Sequence, residues 1–258
     1  MTFRIDRRAL MATAGFGLGG LMLPGGRLAA QALLGMTGFT HNVASGEPGS
    51  DSMLLWTRYV SATGSPSKVR AEVSESRDFA KIVSGGQMVT GPWRDHTVKV
   101  TVDGLQPGRT YFYRFIAPDG TISPIGRTKT LPVGKTSKFN IAIFSCSNLG
   151  FGEFNAYGHA AARDDIDLVL HMGDYIYEYG RGGYDGGAKF AARIFPAGEI
   201  FTLADYRLRY ASYRSDPQLQ ALHANFPVIP NTDDHEGAND AWEGGAQNHT
   251  SDEGDWSV

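Results

Sequence analysis

Two kinds of hydrophobic pattern divide this chain. Between residue 37 and about residue 131, apolar residues fall in short alternating runs broken by Gly, Pro, Asp and Ser, with no helical period. Residues 52–59 predict one strand, and Val98-Lys99-Val100-Thr101-Val102 alternates apolar with polar side chains and predicts another. Around residues 132–137 the composition turns to linker, and strands then alternate with helices. Residues 139–144 predict a strand, apolar apart from Asn140, that delivers Ser145-Cys146-Ser147-Asn148 at its end. Residues 154–163 predict a helix with Phe154, Tyr157 and Ala161 on one face, and Leu168-Val169-Leu170 a buried strand running to Asp174. Strand, helix, strand in that order implies a parallel crossover, which places Cys146 and Asp174 at the same sheet edge.

Further along, Thr202-Leu203-Ala204-Asp205 has the form of a capping box, with Asp in place of the usual Glu. The helix it opens carries Tyr206, Tyr210 and Tyr213 at helical spacing, which is read as packing. Asp216-Pro217 starts another short helix, and residues 226–230 form a strand leading into Asn231-Thr232-Asp233-Asp234-His235-Glu236. The remainder to Val258 is polar and Gly-rich. Within the first region, residues 104–115 resemble the Leu-x-Pro-x-Thr-x-Tyr-x-Tyr signature of fibronectin type III-like sandwiches, in which a tyrosine corner pins a strand entry. A sandwich over residues 37–131 and an α/β unit over residues 138–258 are therefore expected.

Composition narrows the function only by exclusion. A formal net charge of −3 argues against specific nucleic-acid recognition, which needs a basic face for phosphate contacts. Arg4, Arg7 and Arg8 precede an apolar stretch from residue 9 to residue 23, and Ala30-Gln31-Ala32 offers a small-residue cleavage site. Arg7-Arg8 with Leu10 and Met11 behind resembles a twin-arginine signal over residues 1–32, although Asp6 stands where Ser or Thr is usual. Passage through the twin-arginine export machinery to a periplasmic or extracellular location is expected. The apolar core is Gly-rich and short of the roughly 20 residues a span needs, so no stable membrane span is expected in the mature chain. Cys146 is the only cysteine, which excludes an intramolecular disulfide and leaves a buried hydrophobe or a metal ligand.

The candidate chemistry lies at the strand ends. In open α/β sheets ligands gather beyond the carboxyl ends of the strands, where Asp174 and Asp234 both fall. Tyr177, three residues after Asp174, can curl back toward the same ion, and a phenol of reference pKa about 10 binds near neutrality only to a strong Lewis acid. With Cys146, this favours ferric iron over calcium or magnesium at that position. Asp174 is placed to bridge to a second ion held by Asp234, and two such metals lower the pKa of bound water and clamp a phosphoryl transfer. Asp233 competes with Asp234 for that role, because neighbours at a strand end face opposite ways. His235 is the candidate catalytic residue, hydrogen-bonding a substrate oxygen or protonating the leaving alkoxide. Glu178 and Glu236 are expected to orient the ligands, while His171, inside an apolar strand, is taken as structural.

The ordered set His41-Asn42-Val43-Ala44-Ser45-Gly46-Glu47-Pro48, Leu55-Trp56-Thr57-Arg58, Ser145-Cys146-Ser147-Asn148, Gly173-Asp174-Tyr175-Ile176-Tyr177-Glu178 and Asp233-Asp234-His235-Glu236 resembles the alkaline phosphatase D family. The resemblance implies an exported metal-dependent phosphoesterase that hydrolyses phosphomonoesters and phosphodiesters by a metal-bound hydroxide. It implies a fibronectin type III-like all-β sandwich followed by a calcineurin-like α/β metallophosphatase domain, which is a four-layer α/β/β/α sandwich when complete. Its metals are ferric iron and calcium, with Cys146, Asp174, Tyr177 and Asp234 as ligands. Thr232 departs from the Trp usual before the double Asp, and the later motifs supplying further Asp and His ligands are absent, so a C-terminally truncated fragment is expected. The alternatives are a phospholipase D-like phosphodiesterase on the same scaffold and an inactive fragment acting at most as a binding module.

Overall fold

The computed structural model describes residue 33, residues 35–251 and residues 254–256. The expected twin-arginine leader over residues 1–32 lies outside the described residues. Strands β1 (Gly38–Gly46), β2 (Met53–Val60), β3 (Ser67–Ser74), β4 (Ile82–Thr90), β5 (Thr97–Val102), β6 (Thr110–Ile116) and β7 (Gly126–Lys129) come first. β4-β3-β6-β7 form one antiparallel sheet, and β5-β2-β1 begin a second. Strict alternation turns Val98, Val100 and Val102 of β5 inward, where they share a core with Leu55, Val69, Tyr113 and Phe115 from both sheets. Tyr111 closes the entry to β6: its ring is buried and its hydroxyl accepts the Gln106 N–H at 2.7 Å.

The second half contributes β8 (Ile141–Phe144), α1 (Asn155–Ala161), β9 (Leu168–His171), α2 (Ala188–Ala191), α3 (Leu203–Arg214), α4 (Pro217–Asn225) and β10 (Pro227–Pro230). The expected capping box at α3 forms, with Thr202 and Asp205 exchanging side-chain-to-backbone bonds, and Asp216 caps α4. β8 and β9 pair in parallel, as the crossover requires, and β10 lies in parallel beside β9. β1 pairs in parallel with β10 through Ser45 opposite Pro227 and Gly46 opposite Val228. The result is one mixed sheet, β5-β2-β1-β10-β9-β8, running through both halves of the chain. Leu219, Leu222, Phe226, Val169 and Val228 fill the core where helices cover one face of this sheet. Phe226 sits at the seam, 1% exposed, with the Arg127 guanidinium 5.8 Å from its ring centre.

β8 begins at Ile141, two residues later than its apolar run, because the Asn140 N–H is taken by Asp167 at 2.8 Å and its amide by the Asp165 carbonyl at 2.6 Å. β8 is also the sheet edge, and Ile141 and Ile143 are exposed on the face away from the helices. Asp167 further receives the Lys129 ammonium at 2.5 Å, joining β7 to the entry of β9. Burial disfavours the ionised carboxyl, but the Lys129 and Asn140 hydrogen bonds and the charges of Lys129 and Arg127 outweigh it and hold Asp167 below the usual range.

Two side chains position the loops beyond β9 and β10. The Glu236 carboxylate accepts the backbone N–H groups of Asp174 at 3.1 Å, Ile176 at 3.3 Å, Asp233 at 2.7 Å and also Tyr175. The loops touch so closely that a Cβ on Gly173, which has φ +113°, would lie 2.4 Å from Asp233 Cβ. Arg209 of α3, fully buried, donates to the carbonyls of Phe195, Tyr179, Pro196, Gly198 and Tyr177. Burial lowers its pKa to about 10, yet the guanidinium stays charged at neutrality and pins the chain that follows Tyr177.

Asp167→Asn is expected to lower stability by about 1–2 kcal/mol in denaturant titrations at pH 7. Because the folded pKa is depressed, that contribution is present above the ordinary carboxylate value of 3.8 and is lost as pH falls through the folded pKa. Equal gaps between variant and parent across the acid range would contradict this account. Glu236→Gln keeps the shape but turns an amide NH₂ toward N–H donors, and is expected to cost about 2–4 kcal/mol. A measured loss under about 0.5 kcal/mol would show that the loops hold without it.

Candidate metal centre

β8 and β9 end side by side, and the chain leaves both by a sharp turn. Cys146 and Asp174 each adopt left-handed backbone, φ 55° and 52°, a conformation that costs a non-glycine residue about 1 kcal/mol or more. The turns are stitched together: the Cys146 N–H donates to the Gly173 carbonyl at 3.2 Å and the Ser147 N–H to the Asp174 carbonyl at 3.1 Å. This sets the end of β8 beside the turn that presents Asp174. Tyr177 Oη donates to Asp174 Oδ2 at 3.1 Å, and the Cys146 thiol, exposed at the end of β8, helps to hold the Asp174 pKa down against burial.

From the end of β10 comes the 3₁₀ turn Asp234–Glu236. Ligand atoms of Asp174, Asp234 and His235 lie within 4.8 Å of one another, and the predicted ligand Cys146 is not part of that group. Asp233 is the cap of that turn, its carboxylate receiving the Glu236 N–H. It is therefore occupied in holding the loop, and Asp234 is the residue that joins the cluster. Strand alternation could not distinguish the two because the chain has left the strand before reaching them.

The electrostatics are those of a site short of positive charge. Burial raises the Asp174 pKa, with Asp234 adding repulsion, against the opposing help of Cys146, His235 and Tyr177. Asp174 Oδ1 is buried with no hydrogen-bond partner among the described residues. Burial also opposes ionisation of Asp234, but the Asp240 N–H at 2.6 Å, the His235 charge and the His235 N–H at 3.0 Å hold its pKa below the usual value. For Tyr177, burial and then the Asp174 charge push the pKa upward, so without a cation it stays a phenol. An unpaired buried carboxylate oxygen beside a second carboxylate, an imidazole and a phenol fits a metal ion.

His235 is oriented from behind. Its Nδ1 lies 2.8 Å from Glu178 Oε2, and its ring packs on Tyr177 with centres 4.2 Å apart, leaving Nε2 on the opposite side. Glu178, 2% exposed, is itself held by the Asn239 N–H at 2.9 Å and the Asn248 amide at 2.7 Å. Asn239 and Asn248 had no signal in the sequence, since they sit in a polar, Gly-rich stretch without periodicity. Arg209 carried a weak one, a cation spaced three and four residues from Tyr206 and Tyr213 on the packing face of a helix. The tyrosines themselves pack: Tyr213 is fully buried and Tyr210 stacks on Tyr175. His171 is buried 2.9 Å from Tyr157 Oη, and burial lowers its pKa to about 4, consistent with a structural place. Beside the cluster a cleft of about 440 Å³ is lined by Cys146, Ser147, Tyr157, Tyr177, Phe151 and Tyr184.

Comparison with known proteins places this arrangement. A family model for PhoD-like phosphatase matches residues 141–258, and one for the PhoD-like phosphatase N-terminal domain matches residues 26–132. Alkaline phosphatase D of Bacillus subtilis (strain 168) is 43% identical over 207 residues, which cover 77% of this chain and 35% of that protein. The chain thus spans about a third of the length of this curated relative. A solved structure of PhoD superposes with a TM-score of 0.76 at 39% identity, covering 84% of this chain and 43% of that one. A purple acid phosphatase from yellow lupin (Lupinus luteus) seeds is 15% identical with a TM-score of 0.48, over 78% of this chain and 36% of its own. With both halves of the chain matched in order, and the loops that carry Cys146, Asp174 and Asp234 inside the matched region, the protein belongs to the PhoD-like phosphatase family.

Proposed function

We propose that the protein is an exported, metal-dependent phosphoesterase acting on phosphomonoesters and phosphodiesters. The observation that carries this reading is the buried, unpaired Oδ1 of Asp174 among Cys146, Tyr177, Asp234 and His235. Cys146, Asp174 and Tyr177 would hold ferric iron, and Asp174 with Asp234 would hold calcium. When bound, such a pair lowers the pKa of a coordinated water and clamps the oxygens entering and leaving phosphorus.

The chain's own groups do the rest. Glu236 fixes the loop that presents Asp174, and Arg209 fixes the loop beyond Tyr177. Glu178 holds His235 by Nδ1, so that Nε2 hydrogen-bonds a substrate oxygen and gives a proton to the departing alkoxide. The first half, residues 37–131, is read as a fibronectin type III-like sandwich, supported by the Tyr111 corner, and residues 138–258 as the metallophosphatase part. Export rests on the Arg7-Arg8 leader, and among the described residues no helix is long and apolar enough to cross a membrane.

Tyr177→Phe tests the centre with little change in packing volume. Bound iron, and the visible charge-transfer absorption that a phenolate ligand confers, are expected to fall to a small fraction of the parent's, and phosphatase turnover to fall at least about tenfold. Parent-level iron and turnover in this variant would remove Tyr177 from the site.

A further inference from the structure

A chain of hydrogen bonds runs from the cleft into the core and has no part in the chemistry described so far. Ser147, the residue after Cys146, lines the cleft, and its Oγ lies 2.6 Å from Tyr157 Oη. The same phenol lies 2.9 Å from Nε2 of His171, which is buried. The Tyr157 ring is held in the core between Phe144 and Phe154, with centres 4.8 and 5.0 Å away, so the hydroxyl is rigidly placed.

The direction of donation follows from the far end. Tyr157 has one hydrogen and two close partners, so whichever proton His171 carries decides where it points. His171 Nδ1 is buried without a hydrogen-bond partner among the described residues. A proton there would be an orphaned buried N–H, rarer and costlier than an orphaned acceptor, so the neutral ring carries its proton on Nε2. Nε2–H then donates to Tyr157, Tyr157 donates to Ser147 Oγ, and the Ser147 hydrogen is left to point elsewhere. Among the described residues it finds only the Ser145 carbonyl at 3.4 Å, too long to be a firm bond.

We propose that Ser147 is an anion-binding donor of the cleft, aimed at a non-bridging phosphoryl oxygen of the bound ester, and that Tyr157 and His171 are positioning residues that fix its hydrogen outward. This rests on the phosphoesterase reading. The arrangement is a fixed dipole chain ending on the ligand, stronger than a freely rotating hydroxyl because its reorganisation is complete before the anion arrives.

The test uses the full metal-loaded chain, with inorganic phosphate titrated by calorimetry. Ser147→Ala is expected to weaken phosphate binding about tenfold, as for a lost hydrogen bond to a charged group, and Tyr157→Phe about threefold or more. The double variant is expected to bind no more weakly than Ser147→Ala, since both act through one hydrogen. In the parent, ¹⁵N NMR of the His171 ring is expected to show the Nε2–H tautomer, a readout that needs no variant to fold. Parent-level affinity in Ser147→Ala, losses that multiply in the double variant, or an Nδ1–H tautomer would each overturn the proposal and leave the phosphoesterase reading standing. Failure of the loaded parent to bind phosphate at all would overturn both.

Discussion

The site is held by one carboxylate that never reaches it. Glu236 gathers backbone N–H groups from the loop after β9 and from the loop after β10, and so sets the separation of Asp174 and Asp234. Four donors on one anion in a partly buried setting form a strong, directional tie. It is also self-limiting, because a glycine at 173 is required to let the loops come that close. The left-handed turns at Cys146 and Asp174 lie beside this contact, and their cost is met by the surrounding bonds.

Charge is distributed in two shells of opposite character. Around the buried Asp174 stand a second carboxylate, a phenol and an imidazole, a set that favours an incoming cation over the apo form. Behind them the positive charge of Arg209 is spent on backbone carbonyls and, among the described residues, reaches no carboxylate by a hydrogen bond. The guanidinium thus orders the 177–198 segment without neutralising the centre. A lysine, with three donors on a point charge, could not span the same set of carbonyls.

Much of this was legible from the sequence where the signal is local. The alternation of β5, the capping box at Thr202, the Asp216-Pro217 helix start and the order strand, helix, strand that joins Cys146 to Asp174 all rest on periods or short-range bonds. The choice between Asp233 and Asp234 was not legible, since it depends on a 3₁₀ turn and a cap outside any strand. The edge position of β8 was not either: an apolar run reads the same at the edge of a sheet as in its middle, and Ile141 and Ile143 are exposed all the same. Arg209 and the asparagines behind Glu178 act through distant backbone, for which residue type alone is no guide.

The pairing of β1 with β10 bears on how the chain reaches this state. Ser45 and Pro227 are separated by about 180 residues, and a parallel bridge at that distance is among the slowest contacts a chain can close. During synthesis β2 and β5 can dock on one side of β1 early, while the other side waits until residue 230 has emerged. For that interval the first strand presents an open edge, which makes the N-terminal half dependent on a late arrival for protection from wrong partners.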